Sequence, residues 1–317
     1  MAQQVKIDIR ERRADDIPTA VEIMNAAHPP DNHRTVEEVR TNEERNKPEN
    51  HALYLLAHLD GQAVGHGVSQ HQNWDPPGRF SLSIAVHPAA RRRGVARALY
   101  GSLLDHAAAH GSSSLAAFVH EHHLPVVRGW LERHDYRETE RMRKSELSLD
   151  VLNMDLCDRA EARAAREGIR LSSLADDDSE DARRKLLDVS NLAERDVPSD
   201  EFVETSWELF NQQVDTPECL HDCFIIAWDG ADVAGFTMLG HQTAERAFTW
   251  FTGVHPNHRG RGIALALKAR CARRALERGY QQMQTFNHVN NPAMLAVNTR
   301  IGYRPLPEAV QFVKQLS

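Results

Sequence analysis

At 317 residues the chain is too long for one average domain and suits two, each large enough to bury its own core. Hydrophobic residues make up 41% and charged residues 26%, and no stretch approaches the roughly 20 apolar residues of a membrane span. A soluble, cytoplasmic protein with no membrane partner is expected, and a net charge of −7 argues against a nucleic-acid partner, whose phosphates call for a positive field.

The chain opens on residues 5–11, which alternate apolar and charged side chains, lack the apolar centre of a signal peptide, and predict a strand. A helix follows over 17–27. Residues 51–59 and 63–71 predict a hairpin about Asp60-Gly61, because aspartate then glycine between apolar runs favours a tight turn. A third strand, 79–86, runs directly into a basic, glycine-containing loop and a helix over 95–110 closed by Gly111. A strand at 114–120 and a helix at 124–134 complete the first series. Residues 154–167, rich in Ala, Arg and Glu, predict a linker helix, which puts the boundary near residue 150 and the domains at 1–150 and 151–317.

The same order then begins again. A strand at 169–173 and a helix at 181–193 precede a hairpin, 223–228 and 233–241, about Asp229-Gly230. A strand at 247–254, a helix at 263–278 closed by Gly279, a strand at 281–287 and a helix at 292–301 follow. The correspondence extends to single residues. Residues 86–99 align without gaps on residues 254–267 at a constant offset of 168, with nine of fourteen pairs identical. So long a period marks a duplicated domain and not a solenoid.

The repeated core reads Arg91-x-x-Gly94-x-Ala96 and Arg259-x-x-Gly262-x-Ala264, each leaving a strand and opening a helix. That is an anion site: the first N–H groups of a helix lack internal partners and the helix dipole favours negative charge there. Glycine lets the backbone approach a phosphate, and arginine offers a fork of donors. A solvated basic turn explains one copy equally well, but two copies in the same context favour the anion site. A dinucleotide fold does not fit, since neither loop has Gly-x-Gly-x-x-Gly and each follows an antiparallel meander. The lysine of a P-loop is also missing.

The strand, the Arg-x-x-Gly-x-Ala loop and the long helix after it resemble motif A of the GNAT superfamily, and the order of elements matches that fold in both halves. The resemblance implies a mixed α/β fold made of two tandem GNAT domains, using acetyl-CoA, similar to the mycothiol synthase type of tandem protein. It implies pantetheine against the backbone of Ile84, Ala85 and Val86, and of Thr252, Gly253 and Val254, at a strand bulge. It places the pyrophosphate on Arg91, Arg92, Arg93, Gly94, Val95 and Ala96, and on Arg259, Gly260, Arg261, Gly262, Ile263 and Ala264. Backbone N–H groups of Thr252 and Val254 are the expected oxyanion donors.

Asn287, Asn290, Asn291 and Asn298 lie on a strand end and a helix, where amide side chains suit a pantetheine arm, so Asn290 and Asn298 join the cofactor set. Capping accounts for Asn291 before Pro292. Where many GNAT enzymes carry a proton-donating tyrosine, four residues before a glycine, this chain has Asn298 in the second half and Leu131 in the first. Asn298 therefore positions and does not protonate. The first half reads as a coenzyme-binding or structural copy and the second as the catalytic one. The expected reaction moves an acetyl group to a primary amine of a small molecule or peptide; an acyl-CoA-binding sensor without turnover is the alternative. His241, His255, Glu201 and Glu204 are the candidate bases. Four scattered cysteines suggest no metal site. A monomer or homodimer is expected.

Overall fold

The computed structural model describes residues 6–44, 46–72, 75–197 and 203–316. In chain order these form β1 (Ile7–Glu11), α1 (Ile17–Ala27), α2 (Val36–Glu44), β2 (Leu53–Leu59), β3 (Gln62–Gln70), β4 (Arg79–Val86), α3 (Val95–Ala109), β5 (Ser114–His120), α4 (Leu124–Arg133) and β6 (Arg137–Ser148). There follow α5 (Met154–Arg166), β7 (Ile169–Ser173), α6 (Glu180–Glu194), α7 (Trp207–Val214), β8 (Ile225–Asp229), β9 (Asp232–His241), β10 (Arg246–Val254), α8 (Ile263–Glu277), β11 (Gln282–His288), α9 (Pro292–Ile301), β12 (Arg304–Pro305) and β13 (Ala309–Gln315). Val5, expected to start the first strand, lies outside the described residues. Among the described residues no helix is long and apolar enough to cross a membrane.

The chain divides into two compact units, residues 1–139 with 310–317, and residues 140–309. This differs from a single cut near residue 150. In the first unit the strands lie in the order β1-β2-β3-β4-β5-β13, so the last strand of the chain closes the first sheet. Val310 and Phe312 of β13 are buried in the same cluster as Leu55, Leu82, Leu99 and Leu115. In the second unit the order is β6-β11-β10-β9-β8-β7, and Met142 to Ser148 of β6 pair antiparallel with β11.

Each unit is a sheet with helices on both faces, as the period-2 alternation of its strands requires. In β2, Leu55, Ala57 and Leu59 pack under α3, whereas Leu56 turns to Ala20 and Ile23 of α1. In β8, Ile225 and Ala227 face the cluster of α8 and α5, whereas Ile226 and Trp228 face that of α6 and α7. The helix expected as a linker is thus part of the second unit: Cys157, Ala160 and Ala164 of α5 are buried against α8, and Arg273 binds Asp158 at 2.5 Å. All four cysteines are free, buried thiols.

Candidate functional site

The two loops are built alike from the same residues. In the first unit the His87 ring accepts a hydrogen bond from the Ala89 N–H, residues Pro88–Ala90 make a 3-10 turn, and Arg91 Nε donates to the Val86 carbonyl at 3.3 Å. In the second, His255 accepts from the Asn257 N–H, Pro256–His258 make the turn, and Arg259 Nε donates to the Val254 carbonyl at 3.2 Å. Each helix then starts on a left-handed glycine, Gly94 (φ 90°) and Gly262 (φ 82°), with no side chain capping it. Gly94 is exposed and Gly262 half-buried. Uncapped N–H groups on a helix start are what an anion needs.

Most of the loop arginines also have partners within the chain. Arg91 also donates to the Ala27 carbonyl, and Arg259 binds Asp196 at 2.5 Å. Arg261 is held by Asp229, the His258 ring and the Glu167 carbonyl, while Arg93 lies 3.4 Å from Asp60. These side chains brace the turn, and the groups left open at its mouth are backbone amides. Arg92 is exposed and takes a left-handed φ of 63° where the second unit has Gly260 at 79°.

The strands leading to the loops part from their neighbours. β4 pairs with β5 in parallel only at Arg79, Phe80 and Ser81, and β10 with β11 only from Arg246 to Thr249. Beyond those points the edges of Ile84, Ala85 and Val86, and of Thr252, Gly253 and Val254, no longer face a paired strand on that side. Their other edges remain laddered, Thr252 to Val254 on Thr237 to Gly235. A bulge is present in the second unit, but it falls between Thr249 and Phe251 and not at 252–254. The extra residue, Trp250, stands between the pairs Thr249–Leu239 and Phe251–Met238, and its ring lies over Gly240, where an added Cβ would clash at 2.1 Å. In the first unit Ser81 to Val86 pair with β3 without a register shift.

Asn298 is buried on α9, and its Nδ2 donates to Asn287 Oδ1 on β11 at 2.6 Å. Its Oδ1 is buried without a partner. A buried amide acceptor left open is unfavourable unless something donates to it. Asn291 caps α9 through the Met294 N–H, as expected, and Asn290 is exposed. Leu131 is buried in the first core.

Of the four expected bases, Glu201 lies outside the described residues. Glu204 and His255 line one cavity of about 590 Å³, together with Lys185, Asn191, Arg195 and Asn257. His241 is exposed and its ring lies 2.7 Å from the Tyr280 hydroxyl.

Sequence reasoning missed three features. Glu194, the last residue of α6, is half-buried, and burial alone raises its pKa. Its neighbour Ala193 sits against Gly253, 2.9 Å from where a Cβ would be. Lys268 is buried on α8, its Nζ 5.2 Å over the Tyr303 ring, and burial lowers its pKa to about 8. Third, the expectation of no metal was argued from cysteines, yet His28, His122 and His123 bring one ring nitrogen each within 4.8 Å of one another. Burial first, then neighbouring histidines, lower the pKa of His28 and of His123 to about 4.

A sequence profile described as the Acetyltransferase (GNAT) family matches residues 17–136 and again 186–303, about three quarters of the chain. The chain belongs to the GNAT family. Both matches span a split strand pair, its loop and the helix beyond. Among solved structures, a GCN5-related N-acetyltransferase from Sphaerobacter thermophilus is similar over 98% of this chain and 95% of its own, at 19% identity and a TM-score of 0.76. A tandem GNAT protein from the clavulanic acid biosynthesis pathway is similar over 98% of each chain, at 17% identity and a TM-score of 0.73. At such identities the likeness is one of fold: two GNAT domains in tandem in a mixed α/β architecture.

Proposed function

We propose that the chain is an acetyl-CoA-dependent N-acetyltransferase whose second unit carries the reaction, moving the acetyl group to a primary amine of a small molecule or peptide. One observation carries the reading: in that unit a bulged strand parts from its neighbour directly above an uncapped helix start. Two features of the chain suit the coenzyme. The N–H groups from Arg261 to Ala264 suit a pyrophosphate, and the unpartnered Asn298 Oδ1 suits an amide donor of the pantetheine arm. The coenzyme supplies an activated thioester. The chain holds it beside the amine, which removes much of the entropic barrier.

The open edge of Thr252 to Val254 offers backbone N–H groups to the developing oxyanion. Glu194 takes the proton from the ammonium of the acceptor. Glu194 follows Ala193, which packs on Gly253 of the split strand, and its raised pKa is better matched to that task than that of an ordinary surface glutamate. In the first unit the turn is kept, and the unit binds or supports without catalysing.

The test is CoA release by the purified chain with acetyl-CoA and a broad panel of primary amines. Asn298→Ala is expected to raise the KM for acetyl-CoA about tenfold, the worth of one hydrogen bond near 1.4 kcal/mol. A second reading, an acyl-CoA sensor, is favoured by Asn298 and Leu131 standing where a proton-donating tyrosine is expected. Tight acetyl-CoA binding by calorimetry, with no amine turned over, would establish the sensor and reject the enzyme.

A further inference from the structure

One cluster in the first unit has no part in the chemistry above. His28 follows the last residue of α1, and His122 and His123 lie in the 3-10 turn Glu121–His123 that joins β5 to α4. His28 Nδ1 and His123 Nε2 are 3.4 Å apart. Two imidazole nitrogens bound to one tetrahedral zinc, each at about 2.0–2.1 Å, stand about 3.3–3.4 Å from each other. The pair is therefore already at the separation a shared ion imposes.

A hydrogen bond between two neutral rings explains that distance as well, but it leaves the rest of the cluster without a reason. The His122 ring centre is 3.9 Å from that of His123, and the His120 ring is 5.5 Å from that of His28. Four imidazoles thus gather at the junction of two elements far apart in sequence. Outer contacts hold the rings of His123 and His120 and the main chain of His28. The Ala27 carbonyl faces the His123 ring, His33 Nε2 lies 3.1 Å from the His28 carbonyl, and Asn32 Nδ2 lies 3.3 Å from His120 Nδ1. Partners of this kind orient ring nitrogens toward a metal.

We propose that His28, His122 and His123 form a binding site for a divalent transition metal, zinc before others, with a fourth position open to an outside ligand. Three imidazoles with no thiolate among them suit zinc, copper or nickel and not calcium or magnesium. The Arg91 guanidinium, which reaches the carbonyl next to His28, adds positive charge and so favours an anion as the fourth ligand, hydroxide or a carboxylate. The ion ties the end of α1 to the β5–α4 turn. At the offset of 167 that aligns Leu131 with Asn298, residues 120–123 correspond to 287–290, so the metal would occupy the place at which the second unit carries its asparagine series. The site stands whether or not the second unit transfers acyl groups.

The experiment uses the full chain, free of any histidine tag and stripped with a chelator, titrated with zinc chloride by calorimetry. One zinc per chain is expected, with a rise in melting temperature, and cobalt(II) in its place should give the visible bands of a four-coordinate ion. His28→Gln and His123→Gln are each expected to weaken zinc binding at least tenfold, while His110→Gln leaves it unchanged. Circular dichroism checks that the variants fold, and the cobalt spectrum of the unaltered chain gives a reading that needs no variant. Absence of saturable binding with no cobalt bands, or zinc binding unaffected by both substitutions, overturns the site.

Discussion

The two units hold the same turn in the same way and differ in what surrounds it. Arg91 and Arg259 reach back to the last carbonyl of the preceding strand, both rings of the His-Pro pair cap the 3-10 turn, and both helices start bare. Around that turn, the second unit has a bulge at Trp250, Asn298 and Glu194; the first has an unbroken ladder, Leu131 and a histidine cluster beyond its first helix. The difference teaches what the proposed function rests on: a turn common to both units and side chains around it that only one of them has. The turn depends on backbone and its own braces, whereas the proposed reactivity depends on side chains brought in by the strand and by the end of the first helix.

The sharpest way to break the comparison is to spoil one turn at a time. Valine at Gly262 is forced to φ near 82°, which costs about 1–3 kcal/mol for a non-glycine residue, and its Cβ meets Arg163 at 3.3 Å. Gly262→Val is expected to lower kcat/KM for acetyl-CoA by about 10²-fold or more, since misplacing a bound reactant by an ångström has that effect. Gly94→Val, equally strained at φ 90°, should leave turnover within about twofold. Steady-state CoA release measures both. Equal losses would mean that the first unit catalyses too.

Glu194 sharpens the contrast on the chemical side. Glu194→Gln keeps the shape and removes the base, with an expected fall in kcat of about 10²-fold and little change in KM for acetyl-CoA. The base works deprotonated and burial raises its pKa, so activity of the unaltered chain is lost as pH falls through a value above the ordinary glutamate range. A pH–rate profile of Glu194→Gln should lack that acidic limb; a limb that persists assigns the proton to another group, with His255 in the neighbouring cavity the first to examine.

Much of the fold was legible because it depends on local signals. The helix over 17–27 and the strands at 79–86 and 114–120 fall where periodicity and turn residues put them, and the internal repeat gave the loops their matched context. Strand exchange was not legible: Val310 and Phe312 complete a core formed mainly by residues more than 170 positions earlier, and no local pattern encodes a partner so distant. The bulge was placed two residues late, since its position is set by pairing with β9, where the Trp250 ring covers Gly240, a contact that no local pattern encodes. In the site, the loops could be read because backbone and glycine specify them. Glu194 and the histidine cluster could not, because each depends on residues that tertiary structure alone makes neighbours.

The smallest difference lies beneath the turns, where Lys268 of the second unit takes the place of Tyr100 in the 168-residue repeat. Both side chains are buried against a tyrosine, Tyr303 or Tyr136, but only the lysine brings a charge with it. Its folded pKa, lowered to about 8, lies below the unfolded value of about 10.4, so the unfolded chain holds the proton more tightly. The penalty is therefore fully present below about pH 8, and stability rises as pH climbs from there toward about 10.4. Lys268→Met removes the charge and keeps an unbranched apolar side chain of similar length. At pH 7 it should stabilise the chain by on the order of 1 kcal/mol, measured by urea unfolding, and the rise between pH 8 and 10 should flatten. A Lys268→Met variant that is less stable at pH 7 would show that the ammonium is held by something more favourable than the face of Tyr303, and would move the difference between the units from packing to electrostatics.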